Sequence, residues 1–452
     1  MPFTVDYTVS NGTAASADGD FTATTGRLSF SGAAAETQVV TVATGVDSKV
    51  EPDETVLLTL TALNFNFLFF YTIPLIGNDR VEPGTGTILN DDTATLRVAD
   101  ATAVVEGAPL SFNVALTGEV QGGFDLRFGT ADGTSGDAAN AADNDYGSAP
   151  NGVFRFTGAL NETHTFSVAT TGDNKVEADE KLRFILQAVN PVIPTLDAAD
   201  ITISRGTATG TITNNDTATL SISDAGHAVE GLSLGFVVTL SNDVQGGLSI
   251  AYATSDITAS AASLDYTAAN ASLQFAGTQG ETRSISIPSI ADNIVEGDER
   301  FRVTLGVLTP AIAQIDRADI TVTRSVGEAT IDNDDVFSVT IGNATTTEAG
   351  RSLTFPVTLG AGVQGGVAFD FSTADGTATA ADGDYVARTG VLTFAGTPGE
   401  TQNIVVTVND DLRAEPDETL TTTIRNLRIG GAATTFTPQT ATGTITNDDR
   451  AT

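Results

Sequence analysis

The sequence predicts an all-β protein, a tandem array of immunoglobulin-like seven-stranded β-sandwiches. Three observations carry this expectation. The composition holds 40% hydrophobic residues, 23 Phe and no Trp, with only 21 Lys+Arg, so long charged helix formers are scarce. Whole phrases recur at the period of a domain. Within each period, apolar and polar residues alternate with period two, the signature of half-buried strands.

The repeating phrase is acidic: "GVDSKVEPDETV" (45–56), "GDNKVEADEKL" (172–182), "ADNIVEGDERF" (291–301) and "DDLRAEPDETL" (410–420). Its anchoring aspartates are Asp47, Asp173, Asp292 and Asp411, at spacings of 126, 119 and 119 residues. "EVQGG", "DVQGG" and "GVQGG" begin at 119, 243 and 362, and "DGDF", "DNDY", "SLDY" and "DGDY" precede each acidic stretch. "GTGTILNDD", "ATGTITNND", "EATIDNDD" and "ATGTITNDD" close the units at Asp92, Asp216, Asp335 and Asp449. A period near 120 is too long for solenoid repeats and suits whole domains.

In the last unit the strands read in order as "FSVTIG", "SLTFPVTL", "GGVAFDFST", "GVLTFAG", "QNIVVTV", "TLTTTIRNL" and "TATGTIT". Seven short alternating strands separated by turn signals fit an immunoglobulin-like sandwich. The Gly pair of VQGG reads as a hairpin turn that needs positive φ. The expected domains are 1–92, 93–216, 217–335 and 336–452, the last including the start of a next unit at "RAT". "MPFTVDYTVSNGTA" aligns with "GGVAFDFSTADGTA", so the first unit is expected to lack its first two strands and the chain to be a fragment of a longer array. The joins, such as "NDDTATLRV", leave no flexible linker, and neighbours must abut. The apolar run at 63–77 reads as a strand pair with its loop.

Composition narrows the function. A net charge of −36 argues against nucleic acid and anionic membranes and favours cationic partners. With no cysteine there is no disulfide framework, thiolate site or cysteine nucleophile. The N-terminal residues lack the features of a signal peptide, and no run is long and apolar enough to span a bilayer. His164 and His227 sit at unmatched positions, and no G-x-S-x-G or phosphate loop occurs. Paired carboxylates can hydrolyse glycosides, but here every acid sits among other acids with no aromatic platform, so no enzyme is expected.

In "VNDDLRAEPDETL" (408–420) an alternating strand runs in, another runs out, and Pro416 lies inside, so the stretch is a loop at one end of the sandwich. That end also gathers the loop bearing Asp384 and the closing Asp448 and Asp449. Glu348 reaches it if the first strand begins beside the finish of the last. The fourth unit therefore offers Glu348, Asp384, Asp410, Asp411, Glu415, Glu418, Asp448 and Asp449, without a matching cluster of Lys or Arg. Asp417 is expected to point away into solvent. Hard oxygen donors without His or Cys suit calcium, which takes 6–8 oxygens in flexible geometry. Eight carboxylates exceed the needs of one ion and suggest two or more sharing bridging carboxylates. The alternative is a solvated acidic turn, which four copies in register disfavour.

These motifs together resemble the Calx-β domain, known from sodium–calcium exchangers, an integrin subunit and large bacterial surface proteins. The resemblance covers essentially the whole chain and implies a calcium-binding β-sandwich. It adds a backbone carbonyl of Arg413 to the eight carboxylates of the fourth unit. Carried to the other units, it implies Glu230, Asp265, Asp292, Glu296, Glu299, Asp334 and Asp335 in the third, where Ala291 replaces an acid. In the second it implies Glu106, Asp145, Asp173, Glu177, Glu180 and Asp216, with Gly172, Asn214 and Asn215 read as replacing acids. In the first it implies Asp20, Asp47, Glu51, Glu54, Asp91 and Asp92, with Val46 in place of an acid and no first-strand Glu. Affinity is expected to fall from the fourth unit to the first. The functional expectation is a calcium-stiffened stalk or adhesion segment at the cell surface, contacting neighbouring repeats and a protein or glycan target. A calcium-sensing regulatory module and a spacer with decayed sites are the alternatives.

Overall fold

The computed structural model describes residues 1–65, 71–74 and 82–450. Among them the chain is all-β, and its helical turns are three short 3-10 segments, Ala198–Asp200, Arg317–Asp319 and Glu348–Gly350. It divides into two compact units, one of residues 1–217 with 312–319, the other of residues 218–311 with 320–452.

The fourth repeat shows how the alternation folds. Ser352–Leu359 has the burial pattern eBeBeBiB, every second side chain entering the core. It lies between Val339–Ile341 and Thr401–Thr407 in a three-stranded sheet. The facing sheet runs Ala344–Thr347, Gln439–Thr446, Glu418–Ile429, Val367–Asp375 and Thr389–Phe394. Leu353, Phe355, Val357 and Leu359 meet Phe369, Leu420, Ile424 and Ile445 in one apolar core. All seven expected strands are present, with one refinement: the opening strand splits, and its second half, Ala344–Thr347, crosses to the other sheet. There it pairs in parallel with the last strand, Thr347 beside Thr446. In the third repeat the closing strand splits too, Ile320–Arg324 lying in one sheet and Val326–Asp332 in the other. In the third repeat both terminal strands are thus shared between the two sheets.

Among the described residues, the main sheet of the first repeat has Thr24–Phe30, Phe3–Asn11, Glu54–Phe65 and Tyr71–Pro74 in order, with Gly84–Ile88 beside Glu54–Phe65. Residues 37–42 form no strand and Val39 is 85% exposed. Their counterpart Thr401–Thr407 pairs with Ser352–Leu359. The expected strand pair at 63–77 is seen where described, Tyr71–Pro74 pairing with Ala62–Phe65; residues 66–70 and 75–77 lie outside the described residues, as do 451–452 of the expected next unit.

The VQGG turns take positive φ at both glycines, 69° and 71° at Gly122 and Gly123, and 82° and 76° at Gly365 and Gly366. A Cβ on Gly123 would lie 2.2 Å from the Phe156 carbonyl oxygen, so both backbone shape and close approach require glycine there.

Candidate metal centres

Strand register delivers the acids to one end of each sandwich. The second Glu of the acidic loop opens the long strand opposite an Ile of the last strand: Glu54 with Ile88, Glu180 with Ile212, Glu299 with Ile331 and Glu418 with Ile445. The parallel pairing of the split first strand sets Glu106, Glu230 and Glu348 beside the closing acids, as the Glu106 N–H donating to the Thr213 carbonyl at 3.2 Å shows. The DGDY-type loop is pinned by its tyrosine. Tyr385 is 2% exposed and its hydroxyl donates to Asp375 Oδ1 at 2.6 Å. The preceding aspartate then accepts a loop N–H on Oδ2, at 2.7 Å for Asp20, 2.6 Å for Asp145, 2.6 Å for Asp265 and 2.7 Å for Asp384.

The acids gather into two kinds of triad, with carboxylate oxygens of each within 4.8 Å of one another. One kind joins the DGDY-type aspartate to the two loop glutamates: Asp20, Glu51 and Glu54; Asp145, Glu177 and Glu180; Asp265, Glu296 and Glu299. The other joins the first-strand Glu to the loop and closing aspartates: Glu106, Asp173 and Asp216; Glu230, Asp292 and Asp335. In the fourth repeat one cavity is lined by Glu348, Asp384, Asp411, Glu415 and Glu418. In the first, Asp47, Asp91 and Asp92 line the same cavity as Asp20, Glu51 and Glu54. Asp334 and Asp448 lie outside these triads but close enough to raise the pKa of Glu230 and Glu348. Asp410 is turned to the Arg351 guanidinium at 3.3 Å, and Asp449 lies near it.

Crowding shows in the titration. Burial first, then a hydrogen bond to Asp20, pushes Glu54 up to about 7. Burial and then the hydrogen bond to Asp265 do the same for Glu299, also to about 7. Glu418 is pushed up to about 7 by burial and then by the charge of Asp384. Glu106 and Glu230 reach about 7 through burial followed by Asp216 and Asp292 respectively. The clustered glutamates thus hold their protons to higher pH than free ones do.

The donor set fits a hard cation. Among the described residues, five buried carboxylate oxygens have no hydrogen-bond partner: Glu106 Oε1, Asp216 Oδ2, Glu299 Oε2, Asp335 Oδ2 and Asp449 Oδ2. Three of them belong to the same closing aspartate in successive repeats. A buried unpartnered oxygen is costly, and coordination of a cation removes that cost.

One expectation changes and two are refined. Asp417 is exposed, as expected, and its Oδ1 also accepts the Asn447 N–H at 3.2 Å; Asp53, Asp179 and Asp298 do the same for Asn90, Asn214 and Asn333 at 3.0, 3.2 and 3.3 Å. Asn214 does not replace an acid. It is the counterpart of Asn447, whose Oδ1 accepts the Glu415 N–H at 3.1 Å while Nδ2 donates to the Asp449 carbonyl at 2.9 Å. Asn214 repeats both bonds at 3.1 Å, with Glu177 and Asp216. Only Asn215 stands where the fourth repeat has Asp448. This Asn–Asp clasp was visible as an invariant N and D in all four copies, but its letters looked like part of the ligand set. The expected lack of a matching Lys or Arg cluster is refined by single cations that reach the acids. Lys49 pairs with Glu51 at 2.6 Å, Lys175 with Glu177, and Arg413 with Glu415 at 3.2 Å. The Arg413 N–H donates to Asp411 Oδ1 at 2.7 Å, which orients that carboxylate. His164 and His227 pair with Glu162 and Asp332, outside any triad.

No curated protein matches the chain. Similar solved structures include CBD12 from CALX1.2, at 21% identity over 48% of this chain and 83% of that one, TM-score 0.23. The calcium binding domain CBD12 of CALX1.1 is 20% identical over 46% and 81%, TM-score 0.22. Escherichia coli alpha-2-macroglobulin is 12% identical over 99% and 41%, TM-score 0.16. The Calx-beta domain model matches four times, at residues 2–68, 90–216, 214–331 and 332–449. With the model covering most of the sequence, the chain belongs to the Calx-beta domain family.

Proposed function

We propose that each complete repeat binds calcium at its acidic tip and that the array serves as a calcium-stiffened stalk or adhesion segment at the cell surface. The observation that carries the reading is the recurrence, in three repeats, of a closing aspartate whose Oδ2 is buried without a partner beside further carboxylates. Calcium would supply two positive charges to oxygens that otherwise repel. Asp384, Glu415 and Glu418 would hold one ion in the fourth repeat, and Glu348, Asp411 and Asp449 a second. Asp410, Asp448 and the Arg413 carbonyl are further donors at the same tip.

The chain's own residues do the rest. The Asn447 clasp and the Tyr385 anchor set three loops at ligand distance before any ion arrives. Coordinated carboxylates must be deprotonated, so Glu418 would release its proton on binding. Tying loops that come from distant parts of the sequence would stiffen the tip further. Outside the cell a cysteine-free array would have to be stiffened without disulfides, and calcium could do this. The family's domains are non-catalytic.

The test is calorimetric titration of the full chain with calcium, joined to melting with calcium and with EDTA. Saturable binding of several ions with a higher melting temperature is expected. A midpoint near roughly millimolar fits a stalk, one near roughly micromolar a regulatory sensor. No binding at millimolar calcium would leave a spacer with decayed sites.

A further inference from the structure

The loop that carries the glutamates also carries an apolar residue that does not serve its own repeat. Val50 stands between Lys49 and Glu51, is fully buried, and belongs to the core of the second repeat, with Phe124, Leu126 and Phe156. Val295 stands before Glu296 and packs against the core of the fourth repeat, which contains Val363 and Phe369. Each lies within one compact unit.

The backbone repeats this arrangement. Lys49–Val50 forms a parallel ladder with Glu119–Val120, and Ile294–Val295 forms one with Gly362–Val363. The VQGG glutamine of the following repeat then makes the same two bonds in both places. Its N–H donates to the valine carbonyl, at 2.9 Å from Gln121 to Val50 and 3.1 Å from Gln364 to Val295. Its side-chain amide donates to the loop glutamates: Gln121 Nε2 to Glu51 Oε1 at 3.3 Å, and Gln364 Nε2 to Glu296 Oε1 at 3.4 Å and Glu299 Oε1 at 3.2 Å.

We infer that the calcium centre of one repeat is completed by the repeat that follows it, with the VQGG glutamine as a positioning residue for the loop glutamates and the loop valine as the anchor. The inference rests on the calcium reading above. An anchored valine removes freedom the loop would otherwise lose on binding an ion, and the amide fixes the rotamers of two prospective ligands. By linkage, an ion in the third repeat tightens the docking of the fourth by the factor that docking adds to its affinity. The fourth repeat supplies an internal reference, because the corresponding Ala414 is exposed and Leu412 is 90% exposed.

Hydrogen exchange of the full chain over a calcium titration tests this, comparing the unaltered chain with Val295→Ala and Gln364→Ala. Neither residue belongs to the ligand set. In the unaltered chain calcium is expected to protect residues 291–299 and 362–366 with one midpoint. In both variants the midpoint for 291–299 is expected to rise at least about fivefold. The midpoint for 408–418 stays where it was, which also shows that the fold is intact. An unchanged 291–299 midpoint in both variants, with 408–418 responding to calcium as before, overturns the inference and leaves the calcium reading standing. A chain in which neither 291–299 nor 408–418 responds to calcium overturns the calcium reading and the inference with it.

Discussion

Protonation is where the acidic tips declare themselves at the scale of single residues. Glu54, Glu106, Glu230, Glu299 and Glu418 are each pushed up to about 7, burial being the first cause in every case. In the unfolded chain a glutamate returns to its ordinary value of about 4.5. The folded, metal-free protein therefore binds more protons between about pH 4.5 and 7, and its stability falls as pH rises through that window. Aspartates held low by arginine, such as Asp125 beside Arg155 and Asp370 beside Arg428, work in the opposite direction but below their ordinary values, outside the window. Melting in EDTA should then give a lower temperature at pH 8 than at pH 5, and saturating calcium should abolish the fall. A melting temperature in EDTA that climbs from pH 5 to 8 would show that these acids carry no extra protons. Position 294 offers a second check, since the third repeat has Ile where the first two have Lys49 and Lys175. The Lys175 ammonium pairs with Glu177 and also feels Asp145 and Asp173, members of both triads. Ile294→Lys should therefore raise the melting temperature in EDTA and weaken calcium binding in the third repeat. A variant that melts unchanged in EDTA and binds calcium as before would show that a lysine there compensates nothing.

Individual elements show what holds the acidic loop still. Between the strands Thr401–Thr407 and Glu418–Ile429 the loop has no ladder of its own, and Asn447 replaces one. It joins the Glu415 N–H and the Asp449 carbonyl through its side chain, and its own N–H rests on Asp417. Removing that amide leaves two backbone groups without their partner. Asn447→Ala should cost about 1–3 kcal/mol of stability and weaken calcium binding in the fourth repeat, read by melting in EDTA and by titration. Asp448→Asn should leave the EDTA melt nearly unchanged while lowering affinity, because Asp448 acts as charge near Glu348 and not in the clasp. Equal effects of the two substitutions on the EDTA melt would mean that the clasp has no special part. The strand pattern was legible because burial follows parity, as Ser352–Leu359 shows, and so was the acidic tip, because like charges recur in step. The letters of the clasp recur in every copy, but neither its bonding nor the valine anchor was legible. An Asp that accepts an N–H, an Asp that would hold an ion and an Asp in solvent are one letter, and only the register of Glu418 on Ile445 separates them. Likewise, Val295 reads as an ordinary strand-edge residue until its partners in the fourth repeat are seen.

At the scale of the whole molecule the net charge of −36 acts on every centre at once. A field of one sign draws divalent cations toward the surface and raises their local concentration, an effect that salt screens over about 10 Å at 0.1 M. Carboxylates within a triad sit far closer than that, so their grip on an ion is screened much less than the field of the remaining chain. Two contributions to affinity can therefore be separated. Raising the salt from about 0.01 to 0.15 M, where screening sharpens from roughly 30 to 8 Å, should weaken calcium binding in the second, third and fourth repeats by a similar factor. The ranking set by ligand count, fourth repeat over third over second, should survive. Glu418→Gln, Glu299→Gln and Glu180→Gln made singly in the full chain identify which binding step belongs to which repeat. If the second repeat, with six carboxylates and Lys175 among them, held calcium as tightly as the fourth at both salt concentrations, ligand count and local charge would be the wrong guide to affinity. A ranking that collapsed at the higher salt would place the discrimination in the long-range field of the chain and not in the triads.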